Sequence, residues 1–356
     1  MGVRFLHTAD IHLKRDDPYR LDVLSWILSK AREIADGLII AGDLFESDLD
    51  ATFLRPRIKE IFQCGKEFPV LIIPGNHDFQ SFSSDTYYGD NVFLFYGEPT
   101  HITVKEVKIL GVPFQPEREF SQLMEKISPE EYFDIVIAHG TFYHRACSQI
   151  YMELGEDSRY MPIFSWDIEE KFKIGYLALG HYHSKFTHIP CGQTQVIYPG
   201  SPVATSRRSV GERFVSLVEI EKNKKITVQK VAVEPSVYWK VREWMVFPGR
   251  EKEILTQIEE EIENLSNNQI MLRGEIRGFI SLGEPEFREE VKRIENRYQA
   301  KFHHIELVSR ARYWIELTRN PTIKLFLEKL DQAKRKDHIK KRALELTLTA
   351  LEKLRT

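Results

Sequence analysis

Leu38-Ile39-Ile40-Ala41-Gly42-Asp43-Leu44-Phe45-Glu46 is the stretch that sets the fold. Four consecutive apolar residues, small or branched, form the pattern of a strand buried on both faces. The run stops at Gly42-Asp43. In α/β sheets ligands bind beyond the carboxyl ends of the strands, so a carboxylate at that point faces a site. Asp43 has two oxygens and can bridge two cations.

The flanking segments repeat the pattern. Val3–Thr8 reads as a first strand and ends at Ala9-Asp10-Ile11-His12. In an extended segment, residues two apart point to one side, so Asp10 and His12 can aim at one cation. Leu21, Leu24, Ile27, Leu28, Ala31 and Ile34 have helical spacing and predict a crossover helix from Arg20 to Ala35. The resulting β-α-β unit predicts a parallel sheet. A helix over Phe53–Phe62 comes next, then a strand over Pro69–Pro74 that ends at Gly75-Asn76-His77-Asp78. Later, Phe133–Ala138 runs into His139, and Ile174–Leu179 runs into Gly180-His181-Tyr182-His183. Between them Phe142–Trp166 reads as a polar, aromatic lid. Phe214–Ile220 and Ile226–Val231 read as an antiparallel pair closing a second sheet.

Composition bounds the rest. A chain of 356 residues has room for two or three domains. The formal net charge is -3, but from Arg310 onward 13 Lys and Arg face 6 Asp and Glu, which leaves the body at -10 and the tail at +7. Such a division is a reason to look for separate chemical and partner functions. Cys64, Cys147 and Cys191 lie far apart and form no CxxC pair, which fits a reducing compartment. The first residues read as a strand rather than a signal segment, and no apolar run approaches membrane-spanning length. The expected location is cytoplasmic, with no membrane association.

Near Pro235 the character changes. Strands over Trp239–Val246, Gln269–Ile280 and Phe302–Val308 alternate with helices over Glu251–Leu265 and Pro285–Ala300, which reads as a small α+β module. Pro321 opens a last helical region. Its final helix, carrying Ile339, Ala343, Leu346, Ala350 and the flanking Leu344, Leu348, Leu351 and Leu354, is apolar around much of its girth. It must be covered by its own chain or by a partner. The domains expected are thus 1–235, 236–310 and 311–356.

The strand ends together supply Asp10, His12, Asp43, Asn76, His77, His139, His181 and His183. Histidine, aspartate and asparagine without cysteine suit borderline divalent ions such as Mn²⁺, Fe²⁺ or Zn²⁺. The donors exceed one tetrahedral site, and two ions sharing Asp43 account for the count. Two such cations form a clamp for phosphate esters.

Asp10-x-His12, Gly42-Asp43, Gly75-Asn76-His77-Asp78, His139 and Gly180-His181-x-His183 resemble the five ordered motifs of the calcineurin-like metallophosphoesterases. That resemblance implies an α/β fold, a four-layer αββα sandwich with a small α+β cap domain and C-terminal helices. It implies that Asp10, His12 and His183 hold one metal and Asn76, His139 and His181 the other. His77 is then no ligand, but a general acid or transition-state stabiliser over the phosphate. Thr8–Leu13, Ala41–Phe45, Leu177–His183 and Tyr198–Pro202 are similar to the SbcD-type DNA repair exonucleases. This closer resemblance implies a DNA nuclease using two divalent ions, most simply Mn²⁺. Its implied partners are DNA and an SbcC-like coiled-coil ABC ATPase docked on the terminal helices, with a homodimer as a further expectation. One departure stands out: Glu46 occupies a position where some relatives carry histidine. A carboxylate there repels a polyanion unless a metal or basic group intervenes.

Two other functions remain open on the same motifs: a phosphodiesterase of small substrates such as cyclic nucleotides, and a mainly structural DNA-binding subunit. Arg207 and Arg208, after the Gly200-Ser201-Pro202 turn, are candidate substrate contacts. Lys334–Lys336 and Lys340–Arg342 are either phosphate contacts or a solvated helix face. Tyr143, Tyr151, Tyr160 and Trp166 either stack on bases or pack the lid. Asp78 is expected to orient a histidine.

Overall fold

The structure, a computed structural model, describes residues 2–63, 67–144, 160–281 and 283–353. The chain divides into two units, Met1–Tyr238 and Trp239–Thr356.

The first unit opens with β1 (Val3–Thr8), α1 (Tyr19–Ile34), β2 (Gly37–Ala41), α2 (Asp48–Gln63), β3 (Val70–Ile73) and β4 (Val92–Leu94). It continues through β5 (Thr100–Val104), β6 (Val107–Val112), α3 (Phe120–Leu123), β7 (Tyr132–His139), β8 (Thr141–Tyr143), β9 (Pro162–Phe164), α4 (Ser165–Glu170) and β10 (Lys173–Gly180). The hairpins β11 (Thr187–Cys191) with β12 (Thr194–Tyr198), and β13 (Phe214–Ile220) with β14 (Ile226–Ala232), complete it.

Two six-stranded sheets result, ordered β14-β13-β1-β2-β3-β4 and β11-β12-β10-β7-β6-β5. Alternation along β2 builds the layers. Ile39 and Ala41 enter the core between the sheets with Ile135, Ile137, Tyr176 and Ala178. Leu38 and Ile40 face outward onto α1 and α2, against Leu24, Ile27, Leu54 and Ile58. On the far face of the second sheet, Leu177 and Val136 meet Phe120 and Leu123 of α3 and Ile168 of α4. Each fully buried aliphatic side chain contributes about 1.5–3 kcal/mol. This is the expected four-layer αββα sandwich.

Register sets the site. β1, β2 and β3 are parallel, with Thr8 opposite Ile40 and Ala41 opposite Ile73. β7 and β10 are parallel as well, with His139 opposite Gly180. The strand ends that carry the candidate ligands therefore emerge at shared sheet edges.

Several expectations need correction. The β13–β14 hairpin joins the first sheet, because β13 pairs antiparallel with the free edge of β1, Phe5 facing Val218. The second sheet instead takes the hairpin β5–β6, which turns at Lys105 and Glu106, both in left-handed backbone. α2 begins at Asp48 rather than Phe53. Ser47 Oγ accepts from the Asp50 amide at 3.2 Å, and Asp48 and Asp50 meet the positive end of the helix dipole. The lid expected over Phe142–Trp166 is framed by β8, β9 and the start of α4. Tyr151 and Cys147 within it, Cys64, and Leu354 lie outside the described residues.

The second unit holds β15 (Tyr238–Val246), α5 (Glu251–Leu265), β16 (Ile270–Ile280), α6 (Glu284–Tyr298), β17 (His304–Ser309) and β18 (Arg312–Tyr313). The helices α7 (Ile315–Thr318), α8 (Pro321–Gln332) and α9 (Asp337–Lys353) follow. Its sheet runs β15-β16-β17, with β18 also on β16. Ile254, Ile258 and Ile262 lie four apart on one buried face of α5. The terminal helices belong to this unit. Leu348 of α9 is buried with Phe279 and Leu317, and Arg312 holds Glu352 at 2.6 Å. Its own chain thus covers part of the last helix, while Ile339 and Leu346 remain 44% and 55% exposed. Among the described residues no helix is long and apolar enough to cross a membrane.

Candidate metal centre

The loops after β1, β2, β3, β7 and β10 bring the predicted donors together. Asp10, His12 and Asp43 leave their strands in left-handed backbone, with φ of 55°, 51° and 49°, and His181 sits at φ 109°. The Asp10-x-His12 segment, expected to be extended, is therefore bent at both residues through left-handed backbone. Non-glycine residues in such conformations cost about 1–3 kcal/mol each and persist where surrounding structure holds them. Here the holding groups are visible. The Asp10 amide donates to the Gly42 carbonyl at 3.1 Å and the His12 amide to Asp43 at 3.0 Å. The His181 amide donates to both carboxylate oxygens of Asp10 at 3.0 Å. Gly42 and Gly180 bracket the His139 ring: a Cβ on either would overlap it.

Asp43 occupies the middle. Its Oδ1 accepts the His77 amide at 2.9 Å. Its Oδ2 lies 3.7 Å from His12 Nε2 and 3.2 Å from His139 Nε2. On the His12 side, His12 Nε2 faces His183 Nε2 at 3.1 Å, and His183 Nε2 lies 3.4 Å from Asp10 Oδ1. Donor atoms of Asp10, His12, Asp43 and His183 all fall within 4.8 Å of one another. On the other side, Asn76 Oδ1 lies 3.0 Å from His139 Nε2 and 3.1 Å from His181 Nδ1. The structure thus gathers all seven predicted donors into two sets that share one oxygen of Asp43.

That arrangement fits divalent cations. Asp43 Oδ2 is fully buried and has no hydrogen bond of acceptable geometry, an arrangement that costs about 1–3 kcal/mol for a lone polar group and more for a charge. Histidine nitrogens converge on it. His139 Nδ1 donates to the Ala41 carbonyl at 2.8 Å, so Nε2 is the nitrogen turned to the cluster and the one a cation would take in exchange for its proton.

The electrostatics agree. Burial disfavours charge on His12 and lowers its pKa despite the neighbouring Glu46. For His139 burial acts the same way, but Asp43 beside it prevails and raises the ring to about 9. Burial pushes the Asp43 carboxyl up, and His139 then holds it far below the usual carboxylate range.

His77 is exposed beside the cluster. Its Nδ1 donates to the Glu46 carbonyl at 3.1 Å. Asp78 does not orient a histidine. Its carboxyl accepts the Gly75 amide at 2.8 Å and the Phe45 amide at 3.0 Å, tying the loop after β3 to the loop after β2. Burial, and then repulsion from Asp43, pushes it up to about 8. The Glu46 carboxylate is not loose either: it lies 3.0 Å from His12 Nδ1 and 3.4 Å from Lys14 Nζ. The carboxylate is therefore already paired with a ring nitrogen and a lysine.

Two supports escaped the sequence reading. Arg20 is buried and donates to the His12 carbonyl at 2.7 Å. Arg213 is buried and donates to the carbonyls of His183, Ser184 and Ser201. Each guanidinium holds the backbone of one histidine. The signal available was weak, an arginine opening a helix and another opening a strand. Of the candidate substrate contacts, Arg208 lines a cavity of about 230 Å³ beside His12, His77 and His183, and Arg207 does not. Tyr143, Phe164 and Trp166 stack in series, which is packing. Tyr160 instead lies edge-on to His181, with ring centroids 5.5 Å apart.

A sequence profile of calcineurin-like phosphoesterases matches residues 3–185. A UDP-2,3-diacylglucosamine hydrolase of Shewanella halifaxensis (strain HAW-EB4) is 29% identical over 133 residues, 34% of this chain and 56% of that protein. The chain thus spans just over half the length of that relative. Among solved structures, a purple acid phosphatase from yellow lupin (Lupinus luteus) seeds matches with a TM-score of 0.46 and 13% identity, covering 66% of this chain and 52% of that one. A hypothetical protein of Pyrococcus horikoshii OT3 matches with a TM-score of 0.33 and 14% identity, covering 64% and 88%.

Proposed function

The chain belongs to the calcineurin-like phosphoesterases, and on that premise we propose that it is a two-metal DNA nuclease that hydrolyses phosphodiester bonds in DNA end processing. The observation that carries the hydrolase is the single Asp43 oxygen facing both donor sets. Asp10, His12 and His183 would hold one divalent ion, Asn76, His139 and His181 the other, and Asp43 both. Bound there, such ions, most simply Mn²⁺, supply Lewis acidity and acidify a water.

The remaining work falls to side chains of this protein. His77, its Nδ1 fixed by the Glu46 carbonyl, presents Nε2 to protonate or stabilise the departing oxygen. Its backbone amide donates to Asp43 Oδ1, which ties its position to the carboxylate that would hold both ions. Arg20 and Arg213 keep the His12 and His183 loops in place through their carbonyls.

What supports DNA as substrate is the SbcD-like wording of the strand ends, together with a second unit ending in amphipathic helices. Leu325 on α8 and Ile339 and Leu346 on α9 are exposed apolar positions that suit a partner, for which we propose an SbcC-like ATPase in the cytoplasm. Purified protein with Mn²⁺ is expected to cleave single- or double-stranded DNA. Co-expressed coiled-coil ATPase is expected to co-purify and to be lost when residues 321–356 are removed. No DNA cleavage, with bis-p-nitrophenyl phosphate still turned over, would overturn the nuclease reading. It would favour a small-substrate phosphodiesterase, the alternative that the 29% identical diacylglucosamine hydrolase recommends.

A further inference from the structure

The two flanks of the donor cluster differ in chemistry. His12, His77 and His183 border the cavity of about 230 Å³, whose other walls include Lys14, Ser184, Ser206 and Arg208. Its lining carries Lys14 and Arg208 against one carboxylate, Glu46, besides Arg20, whose charge is already paired with Asp17 at 2.8 Å. None of Asn76, His139 and His181 lines it. Their flank is aromatic: the Phe114 ring lies 6.4 Å from His139 and the Tyr160 ring 5.5 Å from His181.

Resting on the phosphate-ester hydrolase reading above, we propose that this cavity is a subsite for a second, non-reacting phosphoryl group of the substrate. Hydroxyls and cationic nitrogens are the donors a phosphate accepts from, and charge-assisted hydrogen bonds are the stronger kind. Lys14 Nζ is 3.4 Å from Glu46 in a half-open position, a pairing that contributes at most about 1 kcal/mol and can be exchanged for a phosphate. Arg208 is exposed, with a planar fork that matches phosphate oxygens. Among the described residues the aromatic flank offers no comparable set of donors, so the substrate is oriented: its second phosphate lies toward Lys14 and Arg208, and a flat or apolar group lies toward Phe114 and Tyr160. The second phosphate has two chemical sources, the next linkage of a nucleic-acid strand or the neighbouring inner phosphate of an anhydride.

The test uses the full chain with Mn²⁺ and two matched pairs of p-nitrophenyl esters. One pair is thymidine 5′-p-nitrophenyl phosphate with and without a 3′-phosphate. The other is the p-nitrophenyl ester of uridine 5′-diphosphate against that of uridine 5′-monophosphate. In at least one pair, kcat/KM is expected to favour the two-phosphate member about tenfold, the scale of one charge-assisted hydrogen bond. That ratio is expected to collapse toward one in Lys14→Gln and in Arg208→Gln. An advantage in the first pair identifies a strand, and one in the second an anhydride. Turnover of the one-phosphate esters with no advantage in either pair overturns the subsite and leaves the hydrolase standing. An advantage that survives both substitutions overturns it as well. Turnover of none of the four esters overturns the hydrolase and the subsite together.

Discussion

Glu46 Oε2 lies 3.0 Å from Nδ1 of His12, on the side of the ring opposite the donor cluster. The contact falls outside strict hydrogen-bond geometry, yet the charge interaction is felt on both sides. Burial pushes the Glu46 carboxyl up, and His12 then brings it down to about 2. A carboxylate behind a ligating histidine raises ring basicity and fixes which nitrogen carries the lone pair.

Glu46→Ala is therefore expected to weaken divalent-ion binding about 10–100-fold, the usual effect of removing such a support. Calorimetric titration with Mn²⁺ measures it. An affinity within twofold of wild type would show that the carboxylate does not act through His12.

His77→Ala removes a side chain that lines the cavity and packs edge-on against the His12 ring, with 4.8 Å between centroids. Turnover of bis-p-nitrophenyl phosphate is expected to fall about 10²–10⁴-fold, the range of general acid–base contributions. Metal content by elemental analysis should stay at the wild-type value. Joint loss of metal and activity would instead make His77 a ligand.

Much of this site was legible because β-strands end abruptly. Gly42-Asp43, Gly75-Asn76 and Gly180-His181 each announce a stop in an apolar run, and parallel pairing of neighbouring strands makes stops coincide in space. Side-chain direction was not legible. Asp10 and His12 converge through left-handed backbone rather than strand alternation, and no local pattern marks that geometry. Arg20 and Arg213 were invisible for a related reason: they act on carbonyls, and every residue has one. The β13–β14 hairpin was read correctly as a pair and assigned to the wrong sheet, since which free edge a hairpin joins depends on long-range register.

Asp78 clasps two buried amides, so Asp78→Ala orphans both, at about 1–3 kcal/mol each. Asp78→Asn keeps one acceptor oxygen and also removes the repulsion from Asp43 that helps push this carboxyl up to about 8. Urea unfolding in the presence of chelator is expected to rank stability as wild type or Asn above Ala. Equal midpoints for all three would mean that the clasp carries no net energy.

On the two-metal reading proposed above, His139 and Asp43 make metal binding a proton-releasing event. With chelator present, burial opposes charge on the His139 ring, but Asp43 raises it to about 9, so the ring keeps its proton at neutral pH. The unfolded value is about 6.5, lower than the folded one. The stabilisation from this pair is therefore complete below about 6.5 and is lost as pH rises through about 9. Asp43 sets the other limit. Its folded pKa is depressed, so its share is present above about 3.9 and lost on acidification below that. A cation competes for the same Nε2 and needs the neutral ring. Affinity should then climb with pH up to about 9, with a slope near one decade per pH unit from this residue alone. Titrations with Mn²⁺ at pH 7.5, in buffers of differing ionisation enthalpy, are expected to show at least one proton released. His139→Gln should bind more weakly and release about one proton fewer. Equal release from both proteins would sink the assignment, because it would mean that the ring is already neutral when the cation arrives.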